Sequence, residues 1–513
     1  MREGNAAGMT LTSDLIGLGN LSAALILLGG CSGPRVSAAE PRGAPSQEDL
    51  AGTWVARPSH QGESSVVALE LERSGADSFL VRWSAPATDV WDLPLGPARI
   101  HESGIQVGPL ALTYDRSAQT LSGILPDAIV PVYAIPVVFH RSPPLLRTER
   151  RAPDAPVVQP VWTFDAGAPI WADAAYSSGA ALAGADDGTL HALEARTGKP
   201  LWSFRAGGAI RARPAVIDGD VLVPADDGQL YRLDAKTGKE RSRVRIAEKP
   251  TLRLPIGDEK SRYDFHGSGI ATGGGRLYLG THDGRVLALA PGAAERIWEF
   301  RAGDSVVATP LVVSDKVYFG SFDGSVYALD AASGALLWKH DTGAPVTSTP
   351  AFHDGLVIVG SRSYDLLALD GKTGKRAWTR YYWFSWVESP ATILDGSVYV
   401  GSSDAAKLFA FEGGTGRRIW EVDAGGSTWG QPAVTSERVF AGAVGTLHYL
   451  VPHRASVLAV NRRTGRPIWR YPVPPPESTS GKVSCYGFAG SPALGEGLVY
   501  FPGLDGRVYA FAQ

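Results

Sequence analysis

The chain has 513 residues, 44% hydrophobic and 20% charged, enough to build a large core without disulfide support. Its formal net charge of −3 supplies no basic field for nucleic acid or an anionic membrane surface, which removes nucleic acid from the partner classes. Only Cys31 and Cys485 are present, too far apart in sequence for a vicinal disulfide, a CxxC pair, a four-thiolate zinc site or a CxxCH haem attachment.

Leu15 to Gly30 is mostly apolar and ends in Leu28-Gly29-Gly30-Cys31, too short to span a bilayer comfortably. This pattern resembles a bacterial lipoprotein signal. In that family cleavage precedes the cysteine, whose thiol takes a diacylglycerol and whose new amino group is acylated. Asp14 and Glu3 depart from the pattern, since only Arg2 gives the n-region positive charge. Residues 1–31 are therefore expected to be a signal peptide with a lipobox and Cys31 the lipidation site, an ordinary signal peptide being the alternative. No later apolar run approaches the ~20 residues of a spanning helix, so the membrane is expected to be reached through the lipid alone.

Residues 32–47 are small, polar and proline-containing, as a flexible tether would be. From 48 to 142 alternating segments predict a compact β domain: Val67, Leu69 and Leu71 face one way, and Phe79-Leu80-Val81-Arg82-Trp83 follows a Ser74-Gly75 turn. Its opening Asp49-Leu50-Ala51-Gly52-Thr53-Trp54 and closing Leu121 to Leu125 with Val137 to Arg141 resemble small lipocalin-like barrels. Such barrels often hold an apolar ligand, but one of eight strands can also be filled by its own side chains. Residues 143–160, with Pro143, Pro144, Pro153, Pro156 and Pro160 among charges, read as a linker.

From 161 to 513 the sequence repeats. Trp162, Trp202, Trp298, Trp338, Trp378, Trp420 and Trp469 recur at roughly forty-residue spacing, with a double gap after Trp202 that hides a degenerate unit near Arg241. Asp-Gly turns at Asp187, Asp227, Asp283, Asp323 and Asp505, with eroded equivalents near Asp365, Asp404 and Gly445, give the same tally of eight units. Each unit reads as four strands, the last carrying the tryptophan. The pattern predicts an all-β, eight-bladed propeller in which the strand from Val161 to Asp165 completes the final blade and removes the open edges. The tryptophans are assigned to docking between blades, because a buried aromatic covers ~150 to 250 Å².

Ala328-Leu329-Asp330-Ala331-Ala332-Ser333-Gly334 followed by Leu337-Trp338 resembles the tryptophan-docking repeat of pyrroloquinoline-quinone-like propellers. That family includes quinoprotein alcohol and glucose dehydrogenases and the propeller lipoprotein subunit of the outer-membrane β-barrel assembly machinery, which binds no quinone. The resemblance implies either an envelope scaffold or a quinone-dependent oxidoreductase. A ligand-sensing or glycan-binding surface protein is the third option. Alcohol dehydrogenases of the family typically cover the quinone with a disulfide between adjacent cysteines and hold Ca²⁺ with carboxylate and amide groups. Adjacent cysteines are missing, and no Ca²⁺ set can be matched residue by residue. No cofactor and no metal site are therefore expected, with pyrroloquinoline quinone and calcium kept as the alternative.

Residues outside the repeat guide the functional reading. Inserts at 240–266, 445–455 and 471–488 are expected on one face, around one mouth of the central channel. The same face should carry Tyr381-Tyr382-Trp383-Phe384-Ser385-Trp386 and Glu388. Two readings of this run are open, packing beneath a neighbouring insert and an exposed contact rim. Where other blades place small residues such as Ala308 and Thr349, this chain places Asp173, Arg211, Arg213, His266, Glu388, Trp429 and Gln431 near the axis. Arg211 and Arg213, at alternate positions, could share a face and fork onto a carboxylate or phosphate, or simply be solvated. His448, His453 and Cys485 read as packed side chains rather than ligands or a nucleophile. The expectation is a monomeric envelope protein, facing periplasm or cell surface, whose partners are envelope proteins or peptides.

Overall fold

The computed structural model describes residues 44–75, 78–101, 103–126, 132–147, 153–258, 260–292, 295–477 and 482–513, and it is all-β. Cys31, the segment read as its signal, and most of the tether lie outside the described residues. No helix among the described residues is long and apolar enough to cross a membrane.

Eight strands, from Gly52–Ala56 to Ile135–Ser142, close into a barrel. The first strand pairs on one side with the last, Thr53 opposite Ser142, and on the other with Val67–Arg73, Gly52 opposite Leu71. Alternation drives this. In Ile135–Ser142, Val137 and Phe139 are buried while Val138 and His140 are exposed, the period of two that a closed sheet imposes. Trp54, Phe79, Trp83 and Phe139 are fully buried and fill the interior, so the barrel takes the filled-core alternative. Before it, Ser46 caps the short helix Gln47–Leu50, whose Leu50 carbonyl accepts the Trp54 indole N–H at 2.8 Å.

Eight four-stranded blades follow, numbered here in chain order, blade 7 carrying an extra strand. Blade 1 spans 175–205 and blade 8 spans 493–512. Trp162–Asp165 pairs with Arg507–Ala512, Trp162 opposite Ala510, and so completes blade 8 as the repeat pattern predicts. In seven blades a bulge shifts the register between the third and outer strands at the same place, Ala328/Leu329 in blade 4, directly beside the tryptophan. Such a bulge bends the outer strand locally. Trp338 packs against Gly374 of the next blade and donates its indole N–H to the Gly371 carbonyl at 3.1 Å. Trp162, Trp202, Trp298, Trp378 and Trp420 repeat this reach, while Trp469 packs against Phe440 and Phe511.

The Asp-Gly turns also join blades. Asp323 accepts from Ser325 within its own turn and from the Gly303 amide of the preceding blade at 2.9 Å. The end of the proline-rich linker packs on the propeller. Val157 forms a parallel bridge with Arg470, the Val158 amide donates to the Arg470 carbonyl, and the Arg470 amide donates to Pro156, laying residues 156–158 along the outer edge of blade 7.

The barrel sits on the propeller. Its interior is one continuous apolar cluster with Tyr364, Tyr381, Trp383, Phe384 and Val451 of the propeller. Trp83 meets Phe384 edge-on at 6.3 Å, and His60 lies 4.3 Å from Tyr133 and 4.9 Å from Tyr381. The Tyr133 hydroxyl donates to the buried Asp365 carboxylate.

Candidate functional site at the insert-bearing mouth

The three inserts meet at one mouth. Residues 444–447 of the outgrown strand Arg438–Leu447 pair with Ser484–Gly487, Thr446 opposite Cys485, which ties the second of these inserts to the third. The first insert crosses over both. Although its residues lie between blades 2 and 3 in the chain, Phe265 stacks on Trp171 of the blade 1 segment at 4.8 Å and on Trp429 before blade 7 at 5.6 Å. Tyr263 reaches Trp386 at 5.8 Å.

Two arginines fasten this crossing. Arg253, within the insert, forks onto Asp226 at 2.7 and 2.9 Å and donates to the His266 carbonyl. Arg362, from the turn of blade 5, binds the Glu388 carboxylate at 2.7 and 2.9 Å and donates to the Arg262 and Tyr263 carbonyls, both at 2.8 Å. Its guanidinium also lies 4.3 Å over the Trp386 ring. Sequence reading missed both arginines. The available signal was a break in the repeat, since blade 5 reads Ser361-Arg362-Ser363-Tyr364 where blade 4 reads Ser321-Phe322-Asp323-Gly324.

Of the residues singled out at the mouth, Arg211 is committed to Asp186 at 2.7 Å and lies 5.4 Å over Trp171. Burial pulls the Arg211 guanidinium down and the Asp186 carboxyl up, each opposed by the charge of the other. Arg213 beside it is exposed, so the two do not present the fork expected from their alternate spacing. Burial lowers His266, against the raising influence of Asp173 and Glu388. Asp173 accepts the Ser491 amide at 2.7 Å and Gln431 donates to the Ala391 carbonyl at 3.0 Å, so both belong to the ring that joins neighbouring blades. Trp429 donates to Ser403 at 3.1 Å.

Between the inserts lies an open cleft of about 410 Å³ including the solvent at its mouth. Tyr263, Trp386, Trp429 and Tyr449 give it aromatic walls. Its polar side chains bond to one another: Ser427 to His453 Nδ1 at 3.1 Å, and Tyr449 to Asp404 at 3.2 Å. Burial pushes the Cys485 thiol up to about 12, which keeps it protonated and a poor nucleophile. Trp383 is on the other side of the aromatic run, under the barrel, and only Trp386 of the two faces this cleft.

Residues 152–254, 234–342 and 322–513 match the family described as outer membrane protein assembly factor BamB. The chain belongs to the BamB family. BamB from Moraxella catarrhalis is similar at 20% identity and a TM-score of 0.52, over 69% of this chain and 97% of that one. The quinohemoprotein alcohol dehydrogenase from Comamonas testosteroni is as close in fold, at 14% identity and 0.52 over 69% and 76%. Sqt1 of Saccharomyces cerevisiae gives 13% and 0.53 over 70% and 99%. No curated protein matches the chain. Identities this low show the fold alone.

The mouth of this BamB-family propeller does not fit a quinone with calcium. Phe265 already fills the interval between Trp171 and Trp429, and Asp186, Asp226 and Glu388 are each paired to an arginine. Among the described residues no cluster of three His, Cys, Asp or Glu side chains could hold a metal ion.

Proposed function

We propose that this protein is an exported envelope module, lipid-anchored at Cys31, that binds envelope proteins or peptides through its insert-bearing face. The cleft walled by Tyr263, Trp386, Trp429 and Tyr449 carries this reading. Aromatic rings with polar tips give large contact area and are enriched at interfaces. Membership of a family described as an outer membrane protein assembly factor supports partners of that kind and an outer-membrane setting.

A photo-crosslinking side chain at Thr446, in the cleft, is compared in cells with one at Leu201, an exposed residue on the outer strand of blade 1. Envelope-protein adducts at Thr446 that are lost on Trp429→Ala are the expected result. Equal labelling at both positions would sink the assignment of the face. Incorporation of labelled palmitate that disappears in Cys31→Ala is the companion test of the anchor.

A further inference from the structure

The aromatic walls of the mouth cleft converge from separate parts of the chain. Tyr263 and Tyr449 come from the first and second inserts, Trp386 and Trp429 from the segments that lead into blades 6 and 7. All four are half-buried, so each keeps surface on the cleft it lines. Tyr263 and Trp386 meet at 74°, as two walls of a cage rather than a stack. One side of Trp386 already holds a cation, the Arg362 guanidinium at 4.3 Å.

A carboxylate sits among these rings. Asp404 lines the cleft, accepts the Tyr449 hydroxyl at 3.2 Å and keeps 21% of its side-chain surface exposed. A carboxylate offers about four acceptor positions, more than one donor fills. His453 Nε2 stands 3.9 Å from it, beyond hydrogen-bond reach, and no lysine or arginine is among the described residues lining the cleft. Burial, and after it the charge of Asp404, holds the hydroxyls of Tyr263, Tyr364 and Tyr449 above their ordinary range, so the rings lie in a negative field. Ring faces are themselves negative, so rings and carboxylate favour the same guest, a cation. The cavity proper is about 30 Å³, room for roughly two water-sized groups. A whole ligand does not fit there, nor does the guanidinium plane of arginine. The terminal methylene and ammonium of a lysine do, with the apolar stem running out along the rings.

We propose that the mouth cleft is a lysine socket: a surface lysine of the protein or peptide that docks on this face places its ammonium between the rings and against Asp404. The class of partner rests on the reading given to the face above. The chemistry of the socket belongs to this chain and is tested without that partner.

The purified full chain is mixed with end-capped pentapeptides, two glycines on each side of lysine, ε-acetyl-lysine, norleucine or arginine, at millimolar concentrations, and saturation transfer to each peptide is read by NMR. Transfer should be strongest at the ε-methylene of lysine and near background for ε-acetyl-lysine and norleucine, a comparison that needs no variant. Asp404→Asn keeps an acceptor for Tyr449 and removes the charge. It should weaken lysine binding about tenfold at a similar melting temperature. No transfer to the lysine peptide, equal transfer across the series, tighter binding of arginine, or no loss in Asp404→Asn would each overturn the proposal. Crosslinking at Thr446 separates the two readings. Adducts that persist undiminished in Asp404→Asn would remove the socket and leave the face a docking surface, whereas lysine-selective peptide binding without adducts would keep the socket and remove the envelope partner.

Discussion

Tyr364 and Phe384 hold left-handed backbone, at φ +70° and +57°, where glycine is the ordinary occupant. Both belong to the apolar cluster shared with the barrel, so local strain is accepted at the two positions that deliver rings to the seam. Beside Tyr364, burial pushes the Asp365 carboxyl up to about 6 from 3.8, against the lowering effect of the Tyr133 hydroxyl. A raised carboxyl binds its proton more tightly in the folded chain than in the unfolded one. Its stabilisation is therefore fully present below 3.8 and lost as pH climbs through about 6, a change of about 3 kcal/mol. Unfolding free energies from denaturant titrations across that window should fall with pH in the native chain. The fall should be smaller by about that amount in Asp365→Asn. An identical pH slope in the two proteins would show that Asp365 does not titrate as its surroundings dictate.

At the scale of the element, the docking tryptophan and the turn glycine of the next blade form one unit. A β-carbon on Gly374 would stand 2.7 Å from the Trp338 ring, and the residue sits at φ +69°. Gly374→Ala should therefore cost about 1–3 kcal/mol, read as a lower denaturation midpoint at unchanged slope. The same coupling explains the degenerate unit. Blade 3 carries Ala294 in sequence at the position of this glycine, and blade 2 correspondingly has Ser242, opposite Arg232, in place of the tryptophan, with the neighbouring Arg241 paired with Asp220 and Asp234. Blades were legible because turn glycines, hairpin aspartates and tryptophans recur within some forty residues of one another. The crossing of the mouth was not, since Phe265 finds Trp171 and Trp429 on blades that are remote in sequence. The ion pairs of Arg253 and Arg362 were hidden for the same reason.

For the molecule as a whole, the seam decides how many bodies unfold. Barrel interior and propeller rings make one cluster, with Trp83 and Phe384 in contact, so no solvent layer separates two independent cores. Calorimetry of the full chain should give a single transition, and Phe384→Ala should lower its stability by the ~3–5 kcal/mol of a truncated buried aromatic. Two resolved transitions, the first unaffected by Phe384→Ala, would make the barrel a separately folding lodger. Barrel and propeller were each readable from alternation and repeat, but their union was not. The aromatic run Tyr381 to Trp386 admitted packing or a rim, and the molecule uses it for both, Trp383 beneath the barrel and Trp386 at the mouth.

Pairing of Trp162–Asp165 with Arg507–Ala512 also sets a clock. A ribosome or a translocation pore delivers the chain from its amino end, so the early strand must wait, unpartnered, through the synthesis of seven blades. Until residues 507–512 arrive the arc is open, with raw strand edges at both sides of the gap. Shutting the ring is then the last step in building the propeller, and a chain stalled short of it still carries those edges, open to pairing with other chains.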